Sequence, residues 1–359
     1  MTALVSRNEE HMEDQHIPDS SLEVRLASRP AGWPLPENFD IVETPIVQPS
    51  DGQILVRNQI MSVDPYMRGR MNDTKSYVPP YEIGRALDGA VVGEVVASRA
   101  QGIPVGTTVQ HRLGWREYAV LDHAAATIIR DTEVPISTHL GVLGMTGLSA
   151  YVGLFDKASF TPRDTVFVSG AAGAVGSLVG QMAKLRGAPR VIGSAGSAEK
   201  VRYLIDDLGF DAAFNYKDGS VLEQLRDAAP HGIDVYFDNV GAEHLEAAIA
   251  VLNVGGRIAA CGAVAQYNSE GPVTGPSNLF QVVTKRLIMR GFIVSDSLDR
   301  RPDFHREVGK WVREGRLRYD ETVVHGITNA PVAFLDMLRG RNTGKMLVTL
   351  DNKNGTENG

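Results

Sequence analysis

The sequence predicts an α/β protein in which a doubly wound parallel sheet is joined to a smaller, partly closed β domain. Three observations predict it. Between Thr165 and Lys200 a β-branched run, a glycine-rich turn and an amphipathic segment follow one another. Strand-like and helix-like patterns then alternate as far as Arg313, which argues for parallel strands with helical crossovers. From Leu22 to Val120 the chain reads instead as β-runs broken by glycine and proline.

Taken in order, residues 1–20 are polar and acidic, unlike a secretory signal, and are expected to be a flexible extension. The β domain is expected over residues 21–145, from the runs VRLAS, QILVRNQIMSV, GAVVGEVVAS and TTVQHRLGWREYAVL. In Gly84–Val96, glycines mark a bulge or a close backbone approach. Leu148, Tyr151, Val152 and Phe155 are spaced for a helix that begins after the turn Gly-Met-Thr-Gly, at the seam between domains. The dinucleotide domain is expected over 146–320. Its first strand is Thr165–Ser169, followed by Gly170, Gly173 and Gly176 at intervals of three. Val175, Leu178, Val179, Met182 and Ala183 then form one helical face, and Arg190–Ser194 is the second strand. Glycines let this turn approach a pyrophosphate, and the helix N-terminus offers free N–H groups. Residues 321–351 return to the β domain, and 352–359 form a tail.

At 359 residues the length suits two domains, and 43% hydrophobic with 22% charged residues is an ordinary globular balance. A net charge of −7 disfavours nucleic acid as a partner. No apolar run reaches the roughly 20 residues that span a bilayer. The single cysteine, Cys261, excludes an intrachain disulfide and suits a reducing cytoplasm. With nine scattered histidines and one thiol, no metal site is expected.

The choice of dinucleotide rests on the end of the second strand. NAD-binding units carry a carboxylate there for the ribose 2′-OH, whereas Ser194-Ala195-Gly196-Ser197 leaves room. Lys200 can supply a cation to a 2′-phosphate, and Tyr216 can lie along that edge, which favours NADP. The alternative is that Lys200 pairs locally with Glu199.

Eight motifs, MSVDPYMRGRM, LGVLGMTGLSAYVGL, SGAAGAVGSLVGQMAKLRG, LGFDAAFNYK, FDNVG, AACGAVAQYN, RGFIV and NTGKMLV, occur in that order along nearly the whole chain. In these the sequence resembles the zinc-independent medium-chain reductases that reduce enone and enal double bonds, the group of the prostaglandin, plant alkenal and bacterial curcumin reductases. The resemblance implies a GroES-like β domain joined to a Rossmann domain, and a homodimer. It implies NADPH contacts at Gly173, Ala174, Val175 and Gly176, at Lys200 and Tyr216, and at Asn239. Further implied contacts are Cys261, Gly262, Ala263 and Tyr267, then Phe292, Ile293, Val294 and Asn342, with Met145 and Thr146 beside the nicotinamide.

The implied chemistry is hydride transfer to the β-carbon of an enone or enal, with a donor stabilising the charge on the carbonyl oxygen. Tyr267 and Tyr66 are the candidate donors, with the cofactor's ribose hydroxyl as the alternative. Arg68 and Arg70 are expected to form salt bridges across the seam, and Asp64 to be a turn or capping residue. Gly-Met-Thr-Gly replaces the group's frequent Gly-Met-Pro-Gly, and the loop AQYNSEGPVTGPSN is expected at the substrate entrance. A quinone reductase on the same scaffold and a non-catalytic NADPH-binding protein are the competing readings.

Overall fold

The structure, a computed structural model, describes residues 17–131 and 133–350. The expected tail, and all but the last four residues of the expected extension, lie outside them. The β domain opens with β1 (Ser20–Leu26) and β2 (Phe39–Pro45), an antiparallel pair of their own. There follow β3 (Gln53–Ser62), the short helix α1 (Tyr66–Arg70), β4 (Val91–Ser98), β5 (Thr108–His111), β6 (Tyr118–Asp122) and β7 (Thr127–Ile128). The sequence pattern passes over β2, which buries only Phe39 and so shows no apolar face. The last expected β-run is divided between β5 and β6 by a turn in which buried Trp115 takes a φ of 58°. At Gly93 a Cβ would overlap the Arg57 carbonyl oxygen, so this glycine marks a close backbone approach.

Helix α2 (Met145–Tyr151) leads into β8 (Thr165–Val168), α3 (Gly176–Leu185), β9 (Arg190–Ala195), α4 (Ala198–Arg202) and β10 (Ala212–Asn215). Then come α5 (Val221–Ala228), β11 (Ile233–Asp238), α6 (Ala242–Val251), β12 (Leu252–Ala260), α7 (Phe280–Thr284), β13 (Ile288–Gly291) and α8 (Arg301–Arg313). The expected start of α2 is corrected. Gly144 is its extended N-cap, and Met145 and Thr146 already belong to its first turn. Gly147 is a glycine for want of space, since a Cβ there would overlap the Val142 carbonyl oxygen.

The six strands run parallel in the order β10-β9-β8-β11-β12-β13. Counted from β8, this is the 3-2-1-4-5-6 order of the doubly wound dinucleotide fold. β8 is apolar on both faces because helices cover both. Phe167 on β8 stacks against Tyr236 at 5.0 Å and Phe214 at 5.8 Å, while Val166 and Val168 face the opposite core.

The chain finishes with β14 (Glu321–His325), α9 (Ala330–Leu338) and β15 (Lys345–Thr349). β15 lies antiparallel to β3 and parallel to β14, in the sheet ordered β14-β15-β3-β4-β5-β7 with β6 also on β3. Phe334 of α9 packs edge-on against Trp115 and Phe39. Each aliphatic side chain buried in such a core contributes about 1.5–3 kcal/mol.

Candidate active site

The order of the parallel strands reverses between β8 and β11, where a crevice opens at their C-terminal ends. The turn after β8 lies there. Gly170 has a φ of 59°, and Gly173 N–H donates to Gly170 O at 3.1 Å. A Cβ on Gly176 would stand 2.5 Å from Gly170 O and 2.8 Å from Ala171 Cα, so only glycine fits. No side chain caps α3, which leaves the first-turn N–H groups around Ala174, Val175 and Gly176 for an anion.

At the end of β9, Ser197 caps α4 and presents Lys200. Lys200 Nζ donates to Gly340 O at 2.7 Å and Asn342 O at 2.6 Å, which brings Lys200 and Asn342 together. Its two bonds go to backbone carbonyls, and no ion pair with Glu199 forms. Burial, then nearby Lys217, lowers its pKa. Tyr216 closes the same corner: a Cβ on Gly196 would lie 3.1 Å from its phenol oxygen, and Lys217 Nζ is 5.8 Å from its ring.

At the ends of β11 and β12, Asn239 Nδ2 donates to Ser169 O at 2.8 Å. Cys261 and Gly262 N–H both donate to Asp238 O, and Val264 N–H donates to Asn239 O. Beneath them lies Asp238, 2% exposed, a residue the sequence reading missed. It accepts from Tyr236 Oη at 2.7 Å, Val240 N at 2.9 Å and Gly241 N at 2.7 Å, and so fixes the floor of the crevice. A buried acid closing a strand, the Asp of FDNVG, was the available signal. Burial, then Asp238, pushes the Cys261 thiol up to about 12, so it stays protonated and inert. Phe292 meets Phe237 edge-on at 6.5 Å, and Ile293 and Val294 open a short turn packed against α2. Met145 Sδ lies 3.4 Å from Arg301 Nη2, while Thr146 shares a small cavity with Ala174, Ser177, Tyr319, Glu321 and Lys345.

The two candidate phenols come from opposite domains. Tyr66 opens α1 and accepts from Arg112 Nη2 at 3.3 Å. Burial, then Asp64, pushes its pKa up to about 12. Tyr267 follows β12, with its oxygen 3.4 Å from the Cβ position of Gly262. Burial raises its pKa, and the Ala263 N–H hydrogen bonds its oxygen. Tyr77, also missed from sequence, lies within electrostatic reach of Asp64, Arg112, Cys261 and Tyr267. It belongs to a loop without periodicity, so no pattern marked it. Lys200 and Tyr216 follow β9 and β10, on the other side of the β8–β11 reversal from β12, which Tyr267 follows.

Two expectations are corrected. Arg70 pairs with Asp88 inside the β domain and covers Tyr81 at 4.0 Å; it makes no bridge across the seam. Arg68 does cross the seam, but to the amide of Asn268 and to no carboxylate. Asp64 does more than form a turn, because it accepts from Ser62 and from the buried Lys345. The fixed hydrogen-bond demand of a buried ammonium explains that pairing.

Residues 23–129 match the model for the N-terminal domain of oxidoreductases, and residues 174–312 match the model described as zinc-binding dehydrogenase. The NADPH-dependent curcumin reductase of Escherichia coli is 40% identical over 90% of this chain and 95% of that protein. The NADP(+)-dependent 2-alkenal reductase of Nicotiana tabacum is 40% identical over 92% of this chain and 97% of that one. The crystal structure of CurA from Vibrio vulnificus in complex with NADPH superposes with a TM-score of 0.88, at 41% identity over 92% of this chain and 99% of CurA. This chain belongs to the zinc-independent alkenal/enone reductase group of the medium-chain reductases.

As a member of that group it is an NADP-dependent oxidoreductase whose cofactor is NADPH. The residues fit that cofactor. The turn is packed too tightly for a Cβ at Gly176, and at the end of β9, where an NAD site would present a carboxylate, Gly196 lies against Tyr216 with Lys200 and Lys217 within electrostatic reach of each other. Although one matched model is described by zinc, no group of three or more His, Cys, Asp or Glu side chains could hold a metal ion among the described residues. No helix among them is long and apolar enough to cross a membrane.

Proposed function

We propose that this reductase saturates the carbon–carbon double bond of α,β-unsaturated aldehydes and ketones. The observation that supports this reading is the Arg68–Asn268 hydrogen bond of 2.9 Å, which joins the segments carrying Tyr66 and Tyr267, two phenols that burial keeps protonated. NADPH, when bound, supplies the hydride that reaches the substrate's β-carbon. Negative charge then grows on the carbonyl oxygen, where a neutral O–H donor lowers the barrier, and a proton from solvent water at the α-carbon converts the enolate into the saturated carbonyl. The Tyr66 oxygen accepts from Arg112 and that of Tyr267 from Ala263, so each phenol keeps its own proton to donate. Tyr77 and the 265–278 loop shape the entrance, and half-buried Phe292 packs against Phe237 behind it. The contacts carried over to Gly173–Gly176, Lys200, Tyr216, Asn239 and Asn342 belong to the same reading.

The test is NADPH oxidation with a 2-alkenal, a keto-enone, a diarylheptanoid and a quinone, with each product identified. A saturated carbonyl product supports the reading. An allylic alcohol product, or turnover of the quinone alone, overturns it. Tyr267→Phe and Tyr66→Phe separate the donors, because the phenol that stabilises the enolate is the one whose loss lowers kcat.

A homodimer in a reducing compartment such as the cytoplasm completes the proposal. All four residues of the edge strand β13 are exposed, beside Phe280 at 75%, Val283 at 68% and Leu279 at 52% exposed. An unpaired edge flanked by apolar side chains suits pairing with a second copy. Light scattering on Phe280→Asp and Val283→Asp variants checks it, because both should be monomeric.

A further inference from the structure

Arg68 is 2% exposed, yet among the described residues its guanidinium bonds no carboxylate. Nε donates to Asn268 Oδ1 at 2.9 Å, Nη1 to Asn72 Oδ1 at 2.7 Å and Nη2 to Gly32 O at 2.7 Å. Three neutral acceptors from three separate segments therefore share one buried cation. A rigid planar fork can address three directions at once; a lysine ammonium at the end of four methylenes cannot hold that geometry. Hydrogen bonds from a charged donor are also roughly twice as strong as neutral ones.

The partners give this arrangement its meaning. Arg68 lies two residues after Tyr66 on α1, and Asn268 directly follows Tyr267. One side-chain hydrogen bond thus joins the two phenol-bearing segments, which are 200 positions apart in sequence. The third partner strengthens the link, since the Glu270 side chain fills the space where a Cβ on Gly32 would go. Beyond this point the loop is thinly held. Residues 269–275 are exposed, and the next side-chain anchors are Ser277 and Asn278 on Glu246.

We propose that Arg68 is a positioning residue that sets the separation of Tyr66 and Tyr267 by fastening the 265–278 loop to α1 through Asn268. The proposal rests on the double-bond reductase reading for its kinetic consequence but not for its structural one. The loop closes over the substrate end of the crevice only while the fork is complete. Arg68 touches neither Tyr66 nor Tyr267 and acts through the segments that carry them.

The test compares Arg68→Lys, Arg68→Met, Asn268→Ala and Asn268→Asp in the full chain. In the alanine, methionine and lysine variants kcat/KM for an enone should fall at least tenfold, while the NADPH dissociation constant from nucleotide fluorescence stays within twofold. Asn268→Asp offers a carboxylate to the same Nε and should restore most of the rate. Limited proteolysis of the apoprotein gives a readout without turnover: Asn268→Ala should be cut within residues 269–275 at least tenfold faster, with no matching rise in cutting elsewhere in the chain. Wild-type proteolysis and kcat/KM in Asn268→Ala would overturn the proposal. If Arg68→Met does not fold, Asn268→Ala decides alone, because Arg68 then keeps two of its partners. If the wild type reduces no enone, only the reductase reading fails, and the proteolysis still decides the fastening.

Discussion

Lys345 Nζ donates to Asp64 Oδ1 at 2.8 Å and to Val63 O at 2.9 Å, across some 281 positions of sequence and from a side chain 5% exposed. Immediately before it, Gly344 N–H donates to Ala172 O at 2.9 Å, and Gly344 pairs with Gly173. Residues 342–345 therefore run as a strap from the glycine turn after β8 to the segment that carries Tyr66. Removing one member of a buried ion pair leaves the other charge without compensation. Lys345→Met should cost about 3–5 kcal/mol, and Lys345→Met with Asp64→Leu should recover much of it. Urea unfolding measures both, and a single-variant loss below about 1 kcal/mol would contradict the coupling.

Gly176→Ala places a methyl 2.5 Å from Gly170 O, so the turn must open. NADPH binding should weaken at least about tenfold, equal to about 1.4 kcal/mol. Fluorescence titration reads this directly. Unchanged affinity would mean that the pyrophosphate does not approach this turn.

Lys200→Ala should raise KM for NADPH by about tenfold or more, as expected for a charge-assisted contact worth about 1.5–3 kcal/mol, and should hardly change KM for NADH. Steady-state kinetics with both nucleotides makes the comparison. Equal losses would assign Lys200 to the strap alone, through its bonds to Gly340 O and Asn342 O.

His111 gives the fold a pH signature of its own. It accepts Leu113 N–H at Nδ1 and pairs with Asn58 Oδ1 through Nε2, so it must be neutral. Burial, then Arg116, holds its pKa down at about 3 against the usual 6.5. Its contribution to stability is complete above pH 6.5 and declines as pH falls toward 3. Between pH 7 and pH 5 the loss should be about 2 kcal/mol. Urea unfolding of His111→Gln should lack that loss; an equal loss in the variant would remove His111 as its source.

The doubly wound sheet was legible because its strands are buried on both faces and its helices have one apolar face each. β2 was not, because a strand that buries one residue leaves no periodicity to read. The cradle of Gly170, Gly173 and Gly176 was legible from spacing, since the backbone there tolerates nothing larger at Gly176. Arg68 was visible as a charge in a crowded motif, but its partners Asn268 and Gly32 are brought to it only by tertiary packing. Lys345 was hidden for a related reason: a lysine reads as solvated until the fold supplies Asp64. Gly147 looked like a turn signal because sequence cannot tell a glycine needed for φ from one needed for space.

The placement of β15 has a consequence for biosynthesis. Domains generally fold as they emerge, beginning at the N-terminus. Here β3, early in the chain, receives β15 as a neighbour only after residues 345–349 have been made. Until then the end of β3 at Ile60–Ser62 lacks its neighbour on the side where β6 covers only Gln53–Arg57, and an unpaired strand edge is a template for wrong partners. A chain stopped near Asp320 should therefore aggregate on release from the ribosome although its six-stranded sheet is complete, which makes the last strands the step that commits the whole molecule to solubility.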